Sequence, residues 1–169
     1  VLIFAGGYDN DQDTAATRSV DDLGRGIFIV DAITGNLLWR MGPDIGANLQ
    51  DAGMVYSIPS SIAAADASGD GYVDHLYVGD MGGQLWRVDI NNNLGETESV
   101  ISDIITGGRI ADLADSSSIS HRRFFYPPDV AILKNIDDSN YLSILITSGS
   151  RTHPTDKAVQ DRVFMIRDL

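Results

Sequence analysis

Oxygen-bearing side chains recur at alternate positions in one short stretch, DASGDGYVD, which begins at Asp66. With Asp66 as position one, Ser68 and Asp70 occupy positions three and five, and Asp74 occupies position nine. The main-chain carbonyl of Tyr72 falls at position seven. This is the donor order of an EF-hand-type calcium loop, in which a tightly curled chain turns successive oxygens towards one ion. The spacing therefore predicts a Ca²⁺ site with these five residues as ligands.

The match to such a loop stops after position nine. Gly71 at position six permits the sharp turn, but position twelve is Tyr77 rather than the glutamate that binds calcium with both oxygens. We therefore expect weak binding, on the order of 10⁻⁴ to 10⁻³ M or at best in the sensor range. The alternative is a plain polar turn, in which Asp and Ser side chains accept hydrogen bonds from nearby amides.

A later stretch, residues 126–151, aligns without a gap with the segment that contains this loop. In the later copy Lys134, Ile136 and Leu142 stand where the first, second and last side-chain ligands would be, and only Asp138 keeps a carboxylate. The fold therefore does not need ligands at this turn. A metal site in the earlier copy would be an addition to the fold.

Each copy closes on one further apolar strand followed by an aspartate, namely Asp31, Asp89 and Asp168. The short turn GDMGG predicts a hairpin in the middle copy. Long loops, residues 8–25 and 150–160, separate the strands of the other copies. Such units predict an all-β fold, a modified β-propeller fragment of about two to three blades of antiparallel strands with long inserted loops. We expect residues 1–169 to be part of a single propeller domain cut from a larger chain. The pattern of residues 91–123 leaves a strand and a short helix both open.

The composition excludes several functions. The net charge of -12 and the pI near 4.3 argue against nucleic-acid binding, and a cation is the more natural partner. No apolar run approaches the roughly 18 residues that span a bilayer, so we expect no direct membrane insertion. There is no cysteine, and no spacing of residues typical of a catalytic nucleophile, so we expect no enzymatic activity.

Other polar and aromatic residues have weaker signals. The acidic loop 9–22 could hold a second cation, although a solvated loop fits its spacing better. Residues 19–25 and 150–158 are candidates for contact with a partner. We expect His121, Arg122 and Arg123 to form a solvated patch, and His75 to lie on the face of its strand away from the ligands. The aromatic residues expected to pack between blades are Trp39, Trp86, Phe124, Phe125 and Tyr126.

The block GDGYVDHLYVGDMGGQLWRVDI, together with GGYD and GIFIVDAITGNLLW, resembles the C-terminal domain of the PilY/PilC family of type IV pilus proteins. The likeness is close over about the first 90 residues and loose over the rest. It implies a modified β-propeller with a calcium loop at Asp66, Ser68, Asp70, Tyr72 and Asp74. It also implies a protein that supports pilus biogenesis, controls pilus extension and retraction, and contributes to adhesion. Expected partners are minor pilins and a host or surface receptor, and the expected location is the cell surface at the outer membrane, or outside the cell, reached through the periplasm.

Two other functions remain open. The stretch DAITGNLLW, from Asp31 to Trp39, matches the D-x-x-T-G-x-x-x-W strand pattern of pyrroloquinoline-quinone propeller dehydrogenases. In that pattern Thr34 and Gly35 make a turn and the tryptophan packs between blades, so the match reports fold more than chemistry. A calcium-binding propeller adhesin unrelated to pili would share the metal but not the partners.

Overall fold

A computed structural model of the chain describes residues 1–90 and 105–169. Eleven strands in these residues form three sheets. The first sheet contains β1 (Leu2–Ala5), β2 (Ile27–Val30), β3 (Leu37–Gly42) and β4 (Leu49–Gln50); the second contains β5 (Ala63–Ala65), β6 (His75–Gly79), β7 (Gln84–Ile90) and β8 (Ile105–Asp112); the third contains β9 (Asp129–Lys134), β10 (Asn140–Thr147) and β11 (Val163–Asp168).

Neighbouring strands within each sheet follow one another in the chain, and all pairs are antiparallel except β3 with β4. Such sheets, joined by turns and long loops, are the blades that the repeat predicts. The fold class is thereby confirmed as a nearly all-β, partial β-propeller-like fold. Short 3₁₀ turns occur at Asn10–Asp13 and Ser118–Ser120. Within the described ranges, no helix has the length and apolar character that crossing a membrane requires.

The strands of the gapless repeat are present in both copies, but the two hairpins differ in register. Ala63 pairs with Tyr77, whereas its aligned residue Ala131 pairs with Ser143, two positions before the aligned Leu145. The strands of the later hairpin extend to Lys134 and from Asn140, so they take up residues that form the loop in the earlier copy. A shift of two residues keeps each side chain on its own face of the sheet.

The second sheet is covered on both faces. Trp39 and Trp86 both belong to the cluster between the first and second sheets, together with Ile29, Val78 and Val88. A second cluster, which we call the seam, joins the second and third sheets, and its buried members are Tyr77, Leu85, Phe124, Leu142, Ile144 and Ile146.

Residues 91–123, left open between strand and helix, contain β8 in their described part. The strand pairs along its whole length with β7, with one irregularity between Leu85 and Trp86. Residues 91–104 lie outside the described residues. The glycines at 107 and 108 belong to this strand, and a Cβ at Gly107 would stand 2.5 Å from the carbonyl oxygen of Arg87. Close backbone approach therefore explains why the segment lacks the usual strand composition.

Candidate metal centre

The nine-residue loop with alternating oxygens connects β5 to β6 and is fixed at its second end. The amide of Asp74 donates to the carbonyl oxygen of Ala65 (2.9 Å), and the carbonyl of Asp74 accepts from the amide of Ile90 (2.7 Å). Gly69 and Gly71 have φ values of 78° and 92°, a region that glycine enters without steric cost. These two residues let the chain curl.

Asp66 organises the first half of the loop. Its Oδ1 accepts from the amide of Gly69 (2.6 Å), and its Oδ2 accepts from the amide of Gly71 (2.8 Å). The hydroxyl of Ser68 also donates to Oδ1, at 3.3 Å. The hydrogen bond from Gly71 is the main reason that the pKa of Asp66 lies below its usual range. The first ligand position is therefore held as a carboxylate facing into the curl.

Asp74 organises the other end. Its Oδ2 accepts from the amides of Ala67 and Ser68, at 2.7 and 2.8 Å. Asp70 accepts from the amide of Tyr72 at 2.8 Å, and the Tyr72 side chain is exposed. The loop is thus closed from both ends by carboxylate-to-amide bonds, which is also the geometry of a polar turn.

The structure places the five predicted ligand residues in one exposed loop but does not bring their carboxylates to one point. Among the described residues, no group of three or more His, Cys, Asp or Glu side chains is arranged to hold a metal ion. The donor set itself fits calcium, which prefers carboxylate, hydroxyl and carbonyl oxygens in a flexible shell. The calcium site therefore stays a prediction.

Next to the loop, a network of charged side chains crosses the seam. Arg87 bonds to Asp89 through Nε and to Asp168 through Nη1, both at 2.6 Å. Nδ1 of His75 lies 2.6 Å from Asp89, and the hydroxyl of Tyr77 donates to Asp168 at 2.6 Å. Burial, followed by the hydrogen bond to Asp168, raises the pKa of Tyr77 far above its usual range. Sequence reasoning missed this network, although the aspartate that closes each copy was its signal.

The acidic loop 9–22 is solvated only in part, since most of its residues, including Asp11 and Asp22, are exposed but two of its aspartates are not. Asp9 and Asp21 are buried. Asp9 accepts from the amides of residues 11, 22 and 23, and Asp21 accepts from the amide of Ser57 and the side chain of Gln12, both at 2.6 Å. These carboxylates serve as backbone acceptors inside a folded loop, because a buried backbone amide needs a partner.

The expectation of a solvated patch at residues 121–123 is wrong. His121, Arg122 and Arg123 are 1%, 3% and 7% exposed, because the segment passes under the turn between β6 and β7. The amide of Phe124 donates to the carbonyl of Asp80 at 3.2 Å in that turn. The three charged residues predict exposure to solvent, but the adjacent aromatic residues pack in the core and bring the segment with them.

Four of the five aromatic residues expected between blades are buried, and the fifth is not. Tyr126 is 57% exposed and lies in a cavity of about 320 Å³ with residues of the loop 148–154. His75 is half-buried beside the loop. In the DAITGNLLW stretch, Asp31 accepts from the amides of Ile33 and Thr34, and Trp39 is buried between sheets. That stretch therefore has the structural role that its pattern predicts.

No family model matches the sequence, and no curated protein matches it. Among solved structures, the crystal structure of the Pseudomonas aeruginosa PilY1 C-terminal domain is similar, with a TM-score of 0.61 and 17% sequence identity. The match covers 85% of this chain but 31% of that structure, so the chain spans about a third of its length. At this sequence identity, the similarity shows a shared backbone fold and does not extend to the residues of the candidate site. The chain therefore has the fold of part of the PilY1 C-terminal domain.

Proposed function

We propose that this chain is the calcium-binding part of a secreted or cell-surface protein that supports type IV pilus biogenesis. In this role it acts at the outer membrane or outside the cell, after passage through the periplasm. It contacts minor pilins, and through them biases pilus extension against retraction. It also contributes to adhesion to a host or surface receptor.

One observation carries the calcium part of this proposal. The loop from Asp66 to Asp74 presents donors at alternate positions on a blade hairpin, while the equivalent hairpin of the third sheet lacks all but Asp138. Ligand residues are therefore not needed to form this kind of hairpin, and their presence in the earlier copy favours a binding role. The fold supports the pilus part, because it is the fold of the family that the loop-bearing block resembles.

A binding role is favoured over catalysis. The sequence has no cysteine, and the single D-x-x-T-G-x-x-x-W stretch is accounted for by the turn at Asp31 and the packing of Trp39. A propeller fold hosts many functions, so fold alone does not carry quinone chemistry to this chain.

The test uses cells that carry Asp70→Asn in the gene for this chain, with Asp138→Asn as the matched control at the aligned position of the third sheet. We expect Asp70→Asn to change the number of surface pili and to remove their response to calcium, and Asp138→Asn to behave as wild type. Normal pilus numbers with impaired adhesion would favour the calcium-binding adhesin unrelated to pili. Wild-type pili and adhesion in both strains would refute the proposal.

A further inference from the structure

Positive charge is concentrated at one place in this acidic chain. Five of its 12 Lys and Arg residues lie around the end of β8, the segment before β9 and the start of β11. Two of them bind Asp112, and two others line one cavity beside it. The five residues are Arg18, Arg109, Arg122, Arg123 and Arg162.

The cavity has a volume of about 380 Å³, which is within the range of small-ligand sites. Its polar lining comes from two arginines, two aspartates and a serine, and an aromatic ring of β11 forms part of its wall. These residues are Asp112, Asp115, Ser120, Arg122, Arg162 and Phe164.

Arg122 is buried without a carboxylate partner. It is 3% exposed, its Nη1 donates to the carbonyl of Ile119 at 2.9 Å, and its Nε has no hydrogen-bond partner. Gly83 packs closely against this position, since a Cβ on Gly83 would stand 3.0 Å from the Cβ of Arg122. A buried guanidinium that lacks a counter-ion is costly, so its retention needs a reason.

Arg162 lies across the cavity and is also unpaired. Its side chain forms neither a hydrogen bond nor an ion pair with any part of the chain that the structure describes. Its backbone is held by Ser148, which accepts from the Arg162 amide through Oγ and donates its own amide to the Arg162 carbonyl, both at 2.9 Å. Burial and then the charge of Arg162 lower the pKa of Arg122. Two like charges therefore face each other.

The carboxylates of the cavity have other partners. Asp112 is bound by Arg18 through both oxygens, at 2.8 and 3.0 Å, and by Arg109 at 3.3 Å. Asp115 accepts from the amide and hydroxyl of Ser117, at 2.7 and 2.5 Å. The negative charges of Asp161 and then of Asp115 act in the opposite direction and raise the pKa of Arg122. Neither carboxylate of the lining therefore forms an ion pair with Arg122 or Arg162 among the residues that the structure describes.

We propose that Arg122 and Arg162 bind an oxyanion in this cavity, either a carboxylate or a phosphate group. Guanidinium groups present several N–H donors in one plane, which suits both kinds of oxyanion. The oxyanion provides the direct ion-pair partner that neither arginine has among the described residues. This site is separate from the calcium loop, and neither proposal depends on the other.

The test is calorimetric titration of the 169-residue chain, in chloride buffer of low ionic strength, with sodium phosphate in one arm and disodium succinate in the other. We expect saturable one-site binding in at least one arm, and the arm that binds identifies the class of anion. Arg162→Gln, at an exposed position, should weaken that binding at least tenfold. The matched control is Lys157→Gln, which removes the same charge from an exposed position of the preceding loop and should leave binding unchanged.

Arg122→Met provides a second variant with a different readout. It should abolish binding of the anion, and the melting temperature of the variant should no longer rise with the anion that stabilises the wild type. If Arg122→Met does not fold, the comparison of Arg162→Gln with Lys157→Gln decides alone. Absence of saturable binding in both arms would overturn the proposal, and so would an equal loss of affinity in Arg162→Gln and Lys157→Gln, which would indicate diffuse charge attraction.

Discussion

Asp74 and Ala67 tie the candidate calcium loop to the seam between the second and third sheets. Oδ2 of Asp74 lies 2.7 Å from the main-chain nitrogen of Ala67, and the Ala67 side chain packs against the buried cluster of the seam. A change in what the Asp74 carboxylate binds therefore affects Ala67, which packs between two blades.

Asp74→Ala should destabilise the protein even without calcium. The substitution leaves the amides of Ala67 and Ser68 without their acceptor, and we expect a loss of about 1 kcal/mol in the free energy of unfolding. Urea denaturation in the presence of a chelator measures it. Asp70→Ala is the comparison, since it removes only the bond to the Tyr72 amide and should cost less. Equal losses would contradict a structural role for Asp74 in the seam.

Asp80→Ala should be more damaging than any change in the calcium loop. Asp80 is fully buried and accepts from the amides of Gly82 and Gln84 at 2.9 Å and from the indole of Trp86 at 2.8 Å. Three buried donors would lose their acceptor, and we expect a cost of about 3 kcal/mol or more. Chemical denaturation measures it.

The control for that substitution is Asp31→Ala, in an exposed turn where the carboxylate also accepts from two amides. Water can replace the lost acceptor there, so its cost should stay near 1 kcal/mol, as is typical of capping residues. If the two substitutions cost the same, burial of Asp80 is not what makes its hydrogen bonds important.

His121 should make the protein less stable in acid. Burial, followed by the positive charge of Arg123, lowers the pKa of His121 to about 4. The unfolded chain then binds a proton at His121 near pH 6.5, whereas the folded chain binds it only at about pH 4. The resulting stability is present above pH 6.5 and is lost as the pH falls, with a slope of at most about 1.4 kcal/mol per pH unit.

The comparison that isolates this effect is His121→Gln at each pH. Asp80, whose pKa burial raises to about 7, acts in the opposite direction, because the folded chain holds its proton and loses stability as the pH rises. The wild type should lose stability relative to His121→Gln between pH 6.5 and pH 4. A constant difference over that range would show that His121 becomes charged in the folded protein.

The sequence predicts the blades well because their signals are local. The alternation of apolar residues in GGQLWRVDI and the GDMGG turn place β7 and its hairpin, and the repeat extends the prediction to β10 and β11. The ligand spacing from Asp66 likewise places those residues on one loop. Both inferences need only neighbours in the chain.

Features that depend on distant parts of the chain could not be predicted in this way. The burial of residues 121–123 is set by the turn at Asp80 and by the loop that carries Ala15, whose carbonyl accepts from Arg123 at 2.5 Å. The two-residue shift between the hairpins follows from strand length in the third sheet. The contact between Arg87 and Asp168 joins residues 81 positions apart, and the closing aspartates do not indicate which arginine they bind.

The most direct measurement is a calorimetric titration of the chelator-treated protein with calcium, with magnesium as the control ion. The account predicts saturable binding of one calcium ion, with a dissociation constant on the order of 10⁻⁴ to 10⁻³ M, weakened at least tenfold by Asp70→Asn and retained in Asp138→Asn. The absence of heat and of thermal stabilisation by calcium, in a sample shown to be folded, would contradict it. Residues 66–74 would then be a polar turn.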